Sequence, residues 1–332
     1  MSELIKLDER YSATRRVLQS VSEVSLERGV EQKSSDQFEV LLVPPADENR
    51  QSEGGLRTKG FLRKSEKNKP LITVVTVVFN GEQLLEKTIQ SVINQTYDNV
   101  EYIIVDGGST DGTLDIIHNY EHAIDYWFSA QDKGIYDAMN KGIELASGDW
   151  LNFMNSGDKF KDEIVLRNIF VNEAYDCDFL VGSAIANASW GSLMLNVRPE
   201  VYVWKSFCHQ SVFVNCRYFK QHLFDLSYLS ASDFNYLYLA YVKGAIFKSI
   251  NQVVSVVLYV DSGFSALNAN LSKREVLRSI ISMGSVVQFS TYKHFSYHLV
   301  LYFKSLTKVY LMRYFPVFLN KIRRVRDQKK SV

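Results

Sequence analysis

Leu71-Ile72-Thr73-Val74-Val75-Thr76-Val77-Val78, followed by Phe79-Asn80-Gly81, is the stretch that sets the fold class. A near-unbroken β-branched run reads as a parallel strand covered on both faces. Working outward toward the C-terminus, residues 82–94 place Leu84, Leu85, Ile89, Val92 and Ile93 at helical spacing. Residues 100–105 read as a second strand, 113–120 as a second helix and 124–128 as a short third strand. Ile135, Met139, Ile143 and Ala146 then line one face of a third helix, and 150–154 forms a fourth strand. This is a β-α-β-α-β-α-β order with right-handed crossovers expected, hence an α/β chain with a mostly parallel central sheet. Its turns are loaded with Asp, Asn and Gly: Asp106-Gly107-Gly108-Ser109-Thr110-Asp111-Gly112-Thr113, Asp132-Lys133-Gly134 and Asn155-Ser156-Gly157-Asp158. Such turns, on the carboxyl edge of a parallel sheet, are where these folds bind ligands.

Before this block, residues 1–69 are polar and charge-mixed, with one strand-like run at 38–43 and a helical pattern at 9–27. Residues 46–69 are rich in Lys, Arg, Glu, Ser and Gly, so a largely flexible extension is expected there. After residue 160 the pattern is less regular: strands at 179–185, 193–197 and 252–260, helices at 165–172 and 234–241. The expected domains are 70–265, with halves at about 70–160 and 161–265, and basic amphipathic helices over 266–332. In that last segment Phe289, Tyr292, Phe295, Leu299, Tyr302 and Phe303 recur at helical spacing, and Lys321, Arg323, Arg324, Arg326, Lys329 and Lys330 follow. Aromatic, basic helices bind anionic membrane surfaces at roughly 1 kcal/mol per surface-facing cation, or else pack on the domain and leave a solvated basic end.

Bulk properties narrow the class further. The chain has 332 residues, 46% hydrophobic and 23% charged, as in ordinary globular proteins. A net charge of +1 gives no global pull toward nucleic acid. Cys177, Cys208 and Cys216 form neither a CxxC pair nor an even disulfide framework, which predicts a reduced, cytoplasmic compartment. Residues 1–16 are charged and lack the apolar core of a signal peptide. No apolar run reaches the roughly 18 residues of a membrane span.

Each turn carries a ligand reading beside a structural one. A carboxylate at Asp106 can accept hydrogen bonds from a base or ribose, with Gly107 and Gly108 allowing close approach; Thr110 or Asp111 can equally cap the next helix. Tyr136 and Asn140 share a helix face opposed to the apolar one, and Lys133 is placed to meet a phosphate. The alternative there is a solvated face with an Asp137–Lys141 pair. Asp158 is the only full charge in its turn, and a hard cation bound with a diphosphate needs one or two carboxylates; an Asx-type turn is the competing account.

Taken together, Thr76-Val77-Val78-Phe79-Asn80, Val105-Asp106-Gly107-Gly108-Ser109-Thr110-Asp111-Gly112-Thr113, Asp132-Lys133-Gly134-Ile135-Tyr136-Asp137-Ala138-Met139-Asn140-Lys141-Gly142 and Ala146-Ser147-Gly148-Asp149 resemble the family 2 glycosyltransferases. More narrowly, they resemble bacterial members that build O-antigen, capsule or exopolysaccharide. The similarity is strong over about 71–160 and looser over about 205–265. It implies a GT-A type, Rossmann-like nucleotide-sugar-binding domain and an inverting transfer from a nucleotide-sugar, a UDP-sugar first among donors, to a growing glycan on a polyprenyl carrier. The matching positions put Thr76, Phe79 and Asp106 around the nucleotide, with Tyr136 and Asn140 in the same pocket. Asp158 falls near the diphosphate and its Mg²⁺ or Mn²⁺. The family's acidic cluster is Asp-x-Asp-Asp; here Asn155 and Gly157 stand at its first and third places.

Cys208-His209-Gln210-Ser211 resembles the family's His-Gln segment, where His209 would contact a phosphate or the acceptor, although a lone His between Phe207 and Val212 also fits a satisfied core residue. Ala231-Ser232-Asp233-Phe234-Asn235 resembles the motif carrying the catalytic base, which makes Asp233 the group that takes the acceptor's proton; a helix N-cap is the plain alternative. Asp261-Ser262-Gly263-Phe264-Ser265 resembles a later loop over the pocket. Two rivals stand: an inactive nucleotide-sugar-binding module, favoured by the depleted acidic cluster, and a nucleotidyltransferase. The latter class carries a Gly-rich, basic loop after the first strand, and Phe79-Asn80-Gly81-Glu82 is not one.

Overall fold

The computed structural model describes residues 48–66, 68–189, 191–195, 208–259 and 268–283, and the backbone of short strands before residue 42. These residues fall into two units, one up to Val260 and one from Asp261. In the first, ten strands make one sheet: β1 (Arg50–Gly54), β2 (Ile72–Val78), β3 (Val100–Asp106), β4 (Tyr126–Ala130), β5 (Trp150–Phe153), β6 (Lys159–Phe160), β7 (Phe179–Ala188), β8 (Gly191–Leu195), β9 (Val212–Asn215) and β10 (Phe247–Tyr259). Their order is β6-β10-β7-β9-β5-β2-β3-β4-β1, with β8 paired to β7. The connecting helices are α1 (Leu85–Ile93), α2 (Thr113–Asn119), α3 (Ile135–Leu145), α4 (Val165–Phe170), α5 (Cys216–Gln221) and α6 (Ser232–Val242).

The four strands read from the opening block are parallel, and the second half makes the sheet mixed: β9 runs antiparallel to β5, and β7 antiparallel to β9. All seven residues of β2 are buried. Val74 and Val78 pack into a core with Ile89 and Val92 of α1; Val75 and Val77 pack on the other face with Met139 and Ile143 of α3. Alternation across a strand with helices on both sides explains why the sequence shows no polar face there. Gly142 lets α3 lie against β2, since a Cβ on it would come within 2.5 Å of Val75 Cγ1.

Residues 50–63 correct the flexible reading of the polar extension. β1 pairs antiparallel with β4, closing that edge of the sheet. Arg57 is 1% exposed and donates to Glu101 Oε1 at 2.5 Å and to the Leu145 carbonyl at 2.9 Å. Glu101 also accepts from Thr73 Oγ1 at 2.6 Å and the Ser147 N–H at 2.8 Å. Arg63 donates to Asp125 Oδ1 at 2.5 Å, and Asp125 in turn accepts the Tyr102 N–H at 2.7 Å. Charge normally marks solvated chain, but these two arginines answer carboxylates that β3 and the start of β4 hold in the interior. The helical pattern at 9–27 is also overridden: strands Arg15–Val17 and Gln19–Ser20 lie within it, the first paired with Glu3–Ile5. The run at 38–43 does form a strand, Glu39–Leu41, paired with Glu31–Lys33.

In the second unit, α7 (Ala269–Met283) is helical as expected. The aromatic and basic positions from 289 onward and the 261–265 loop lie outside the described residues. Among the described residues, no helix is long and apolar enough to cross a membrane.

Candidate functional site

Strand order turns back between β2 and β5, because β3 and β4 step away on one side and β5 returns on the other. A crevice forms beyond the carboxyl ends at such a reversal. Its rim begins with two interlocked turns. Asn80, at φ 50°, donates its N–H to Ser109 Oγ at 2.7 Å and accepts the Thr110 N–H at 2.9 Å. Gly81 N–H donates to Thr113 Oγ1 at 2.8 Å, while the Glu82 N–H donates to Asp111 and the Gly112 N–H to Glu82. Ser109, Thr110 and Asp111 are therefore structural, holding the two turns together.

Two of the expected nucleotide contacts are hydrogen-bonded into this framework. Asp106 is fully buried, and its carboxylate accepts the Gly108 and Ser109 N–H groups at 3.1 and 2.9 Å, Ser109 Oγ at 2.5 Å and Ser129 Oγ at 2.6 Å. It shapes the glycine turn from behind. Thr76, also fully buried, donates to the Met154 carbonyl at 2.7 Å and meets Tyr102 Oη at 3.0 Å, tying β2 to its neighbours. Asn140 spends both ends of its amide on the Phe224 backbone, at 3.0 and 2.9 Å. Tyr136 and Asn140 are both buried, so the face read as opposed to the core packs on the second half of the chain. By contrast Phe79 is 64% exposed directly after β2, and Lys133 is exposed at the turn before α3. The structural pair Asp137–Lys141 is present, at 3.1 Å.

The remaining residues converge from four separate places in the sequence. Tyr136, from the first turn of α3, donates its hydroxyl to Asp233 Oδ1 at 2.9 Å. His209 Nδ1 lies 3.1 Å from Asp233 Oδ2, and its Nε2 lies 3.1 Å from Asn155 Nδ2. With the Asn155 amide donating to Nε2, the ring proton sits on Nδ1 and is given to Asp233. Gln210, next in the chain, donates to Asp158 Oδ2 at 2.6 Å, and the Leu258 N–H donates to Oδ1 at 3.0 Å. Gly157, at φ +99°, makes the turn that brings Asn155 and Asp158 to the same rim. Asn155 and Gln210 lie in the quoted motifs, but neither ionises, so residue type alone does not mark them for the site.

Environment separates the two carboxylates. Burial alone would raise the Asp233 pKa; the hydrogen bonds from His209, the Phe234 N–H and the Tyr136 hydroxyl outweigh it and hold the carboxyl below its usual range. The side chain is still 24% exposed. Behind it a small apolar cavity, lined by Phe153, Phe219, Phe224, Tyr236 and Leu237, keeps that side of the pair dry. Asp158 is pushed up to about 6, chiefly by burial, with its hydrogen bonds from Leu258 and Gln210 and the nearby His209 pulling the other way.

A folded pKa above the unfolded value of 3.8 means that ionised Asp158 costs stability at neutral pH, and that the cost fades as pH falls from about 6 toward 4. That cost is about 3 kcal/mol at most. Asp158→Asn relieves it and gives back about 1 kcal/mol for one lost hydrogen bond. The metal-free variant is therefore expected to melt about 2–4 °C above the wild type at pH 7, with the difference gone near pH 4. A calorimetric pH series checks both.

The same turn bears on a divalent cation. Among the described residues no three His, Cys, Asp or Glu side chains cluster as a metal site. The turn does offer the Asp158 carboxylate and, beside it, Asn155 Oδ1, a buried oxygen with no hydrogen-bond partner. One carboxylate and one orphaned amide oxygen make no all-protein cage, but they fit a cation whose other positions are filled by phosphate and water.

Residues 73–188, which span the parallel strands, the glycine turn and the Asn155–Asp158 turn, match the model of glycosyl transferase family 2. A PGL/p-HBAD biosynthesis glycosyltransferase of Mycobacterium bovis is 26% identical over 225 residues, covering 64% of this chain and 84% of that protein. An uncharacterized glycosyltransferase of Haemophilus influenzae is 38% identical over 94 residues, 27% of this chain and 38% of its own length. Among solved structures, a mannosyltransferase from Pyrobaculum calidifontis in complex with GDP-Man and Mn²⁺ superposes with a TM-score of 0.54 at 16% identity, covering 69% of each chain. That likeness is one of fold, the GT-A-like arrangement expected from the sequence. Sheet order, crevice and motifs agree with that match: residues 73–188 form a glycosyl transferase family 2 domain, the kind that transfers a sugar from a nucleotide-sugar donor.

Proposed function

We propose that this chain performs an inverting transfer, from a UDP-sugar before other nucleotide-sugars, onto a growing glycan carried by a polyprenyl lipid. The observation that carries the reading is the hydrogen-bonded set Tyr136–Asp233–His209 beside the Asn155–Asp158 turn. Inversion needs one in-line displacement, with a carboxylate on the acceptor side and the leaving diphosphate on the other. Asp233 is the acceptor-side group: ionised, partly exposed and held at both oxygens. Its lowered basicity is compatible with the role, because a hydroxyl oxygen bonding to an oxocarbenium-like carbon becomes strongly acidic and gives up its proton late. Phe79, exposed at the end of β2, offers a face for the base, and Lys133 a charge for a phosphate. Asp158 and Asn155 Oδ1 would hold a Mg²⁺ or Mn²⁺ ion. When bound, that ion supplies charge neutralisation for the leaving diphosphate.

The test is nucleotide release from a panel of UDP-, GDP- and dTDP-sugars, with and without Mn²⁺, using membrane extract as the acceptor source. Turnover of one donor, lost in Asp158→Ala, supports the reading, and NMR of the product's anomeric proton reports inversion directly. Tight donor binding without turnover supports the binding-module alternative instead, for which the single carboxylate of the turn is the motive.

A further inference from the structure

His209 carries more than its place in a motif. Its ring touches two groups: Asp233 Oδ2 through Nδ1, and the Asn155 amide through Nε2, both at 3.1 Å. The other Asp233 oxygen is taken by Tyr136 at 2.9 Å. His209 follows Cys208 in a short helical turn that leads into β9, and that turn is braced: Ser211 Oγ meets Ser255 Oγ at 2.6 Å, and Gln210 reaches Asp158. A ring bonded at both nitrogens has one rotamer and one tautomer, so its N–H fixes where the carboxylate oxygen points.

We propose that His209 is a positioning residue, which holds the Asp233 carboxylate in its working orientation and ties it to the Asn155 turn on the donor side. The proposal rests on the function proposed above, in which Asp233 takes the acceptor proton. His209 touches neither donor phosphate nor acceptor; it acts through Asp233. Its removal frees the carboxylate to rotate but leaves Asp158 braced by Gln210 and the Leu258 N–H, so the loss falls mainly on kcat.

The experiment is a two-residue cycle on the full chain, with donor affinity, donor KM and transfer kcat measured for each variant. His209→Leu fills the ring's place without an N–H and is expected to lower kcat about 10–100-fold, the usual cost of losing an orienting partner, with donor Kd changed less than about twofold. His209→Asn, whose amide N–H stands near the position of Nδ1, is expected to recover most of that loss. It also guards against misfolding of the apolar variant. In an Asp233→Asn background, His209→Leu is expected to cost little more, because the group it orients is already disabled. A raised donor Kd in both His209 variants, or an equal loss with and without Asp233, would overturn the proposal while leaving the base assignment standing. Full activity of Asp233→Asn alone would overturn both.

Discussion

Asp233→Asn is expected to lower transfer kcat by about 10²–10⁴-fold, the span that a positioned general base contributes, while donor affinity stays within about twofold. The amide keeps the volume and still accepts the Tyr136 hydroxyl at the Oδ1 position, where the two now lie 2.9 Å apart. It cannot take a proton, and its NH₂ group faces the His209 Nδ1–H, so the ring must turn or change tautomer. The wild-type pH profile gives an independent check. His209, Tyr136 and the Phe234 N–H hold the Asp233 carboxyl below 3.8, so the acid limb of kcat/KM assigned to this group is expected below pH 4. A limb near pH 6 would point to a different base, Asp158 first among them.

The second large effect is on folding. Arg57→Ala is expected to destabilise the chain by about 3–5 kcal/mol, the usual cost of removing one partner from a buried ion pair. The penalty arises at Glu101, 1% exposed, which keeps its charge but loses the guanidinium that compensates it. Desolvation would raise the Glu101 pKa; Arg57 and the two Ser147 hydrogen bonds reverse it and leave the carboxyl below its ordinary 4.5. A depressed folded pKa contributes stability present above 4.5 and lost as pH falls through the folded value. The variant is therefore expected to unfold at a lower urea concentration at pH 7 and to show a weaker stability loss than wild type on acidification below 4.5. Arg57→Met with Glu101→Leu, which removes both charges, is expected to be the milder change. A chain beginning at residue 70 loses both Arg57 and Arg63 and leaves β4 without its outer partner; chemical denaturation of that truncation extends the same test.

Strand and helix placement in 71–158 was legible because a two-face-buried strand has a compositional signature and helices have a period. The observed bounds of β2, β3 and α2 differ from the sequence reading by one residue at an end. β4 is shifted by two residues at both ends, to Tyr126–Ala130. β9 and α5 were not read, because Val212-Phe213-Val214-Asn215 is short and its burial comes wholly from distant neighbours β5 and β7. At the site, residue type announced Asp233 and Asp158, but not which oxygens and nitrogens are already used. Asp106, Thr76 and Asn140 have the right chemistry for a ligand, and only distances show it committed to Ser109, Met154 and Phe224. Arg57 and Arg63 were the reverse: composition put them in water, and a glutamate and an aspartate forty or more residues downstream draw them in.

The antiparallel strand β1 has a consequence for synthesis on the ribosome. Gly54 pairs with Trp127, so at about 5–20 residues per second the arm waits some 4–15 s for its partner to emerge. While it waits, Arg50-Gln51-Ser52-Glu53 is a hydrophilic segment with little tendency to self-associate. The strand it later covers, Tyr126-Trp127-Phe128-Ser129-Ala130, is the opposite: an apolar edge able to template pairing between nascent chains on one polysome. Its guard has already been translated when that strand appears, and the intramolecular encounter outruns any encounter with a neighbouring chain.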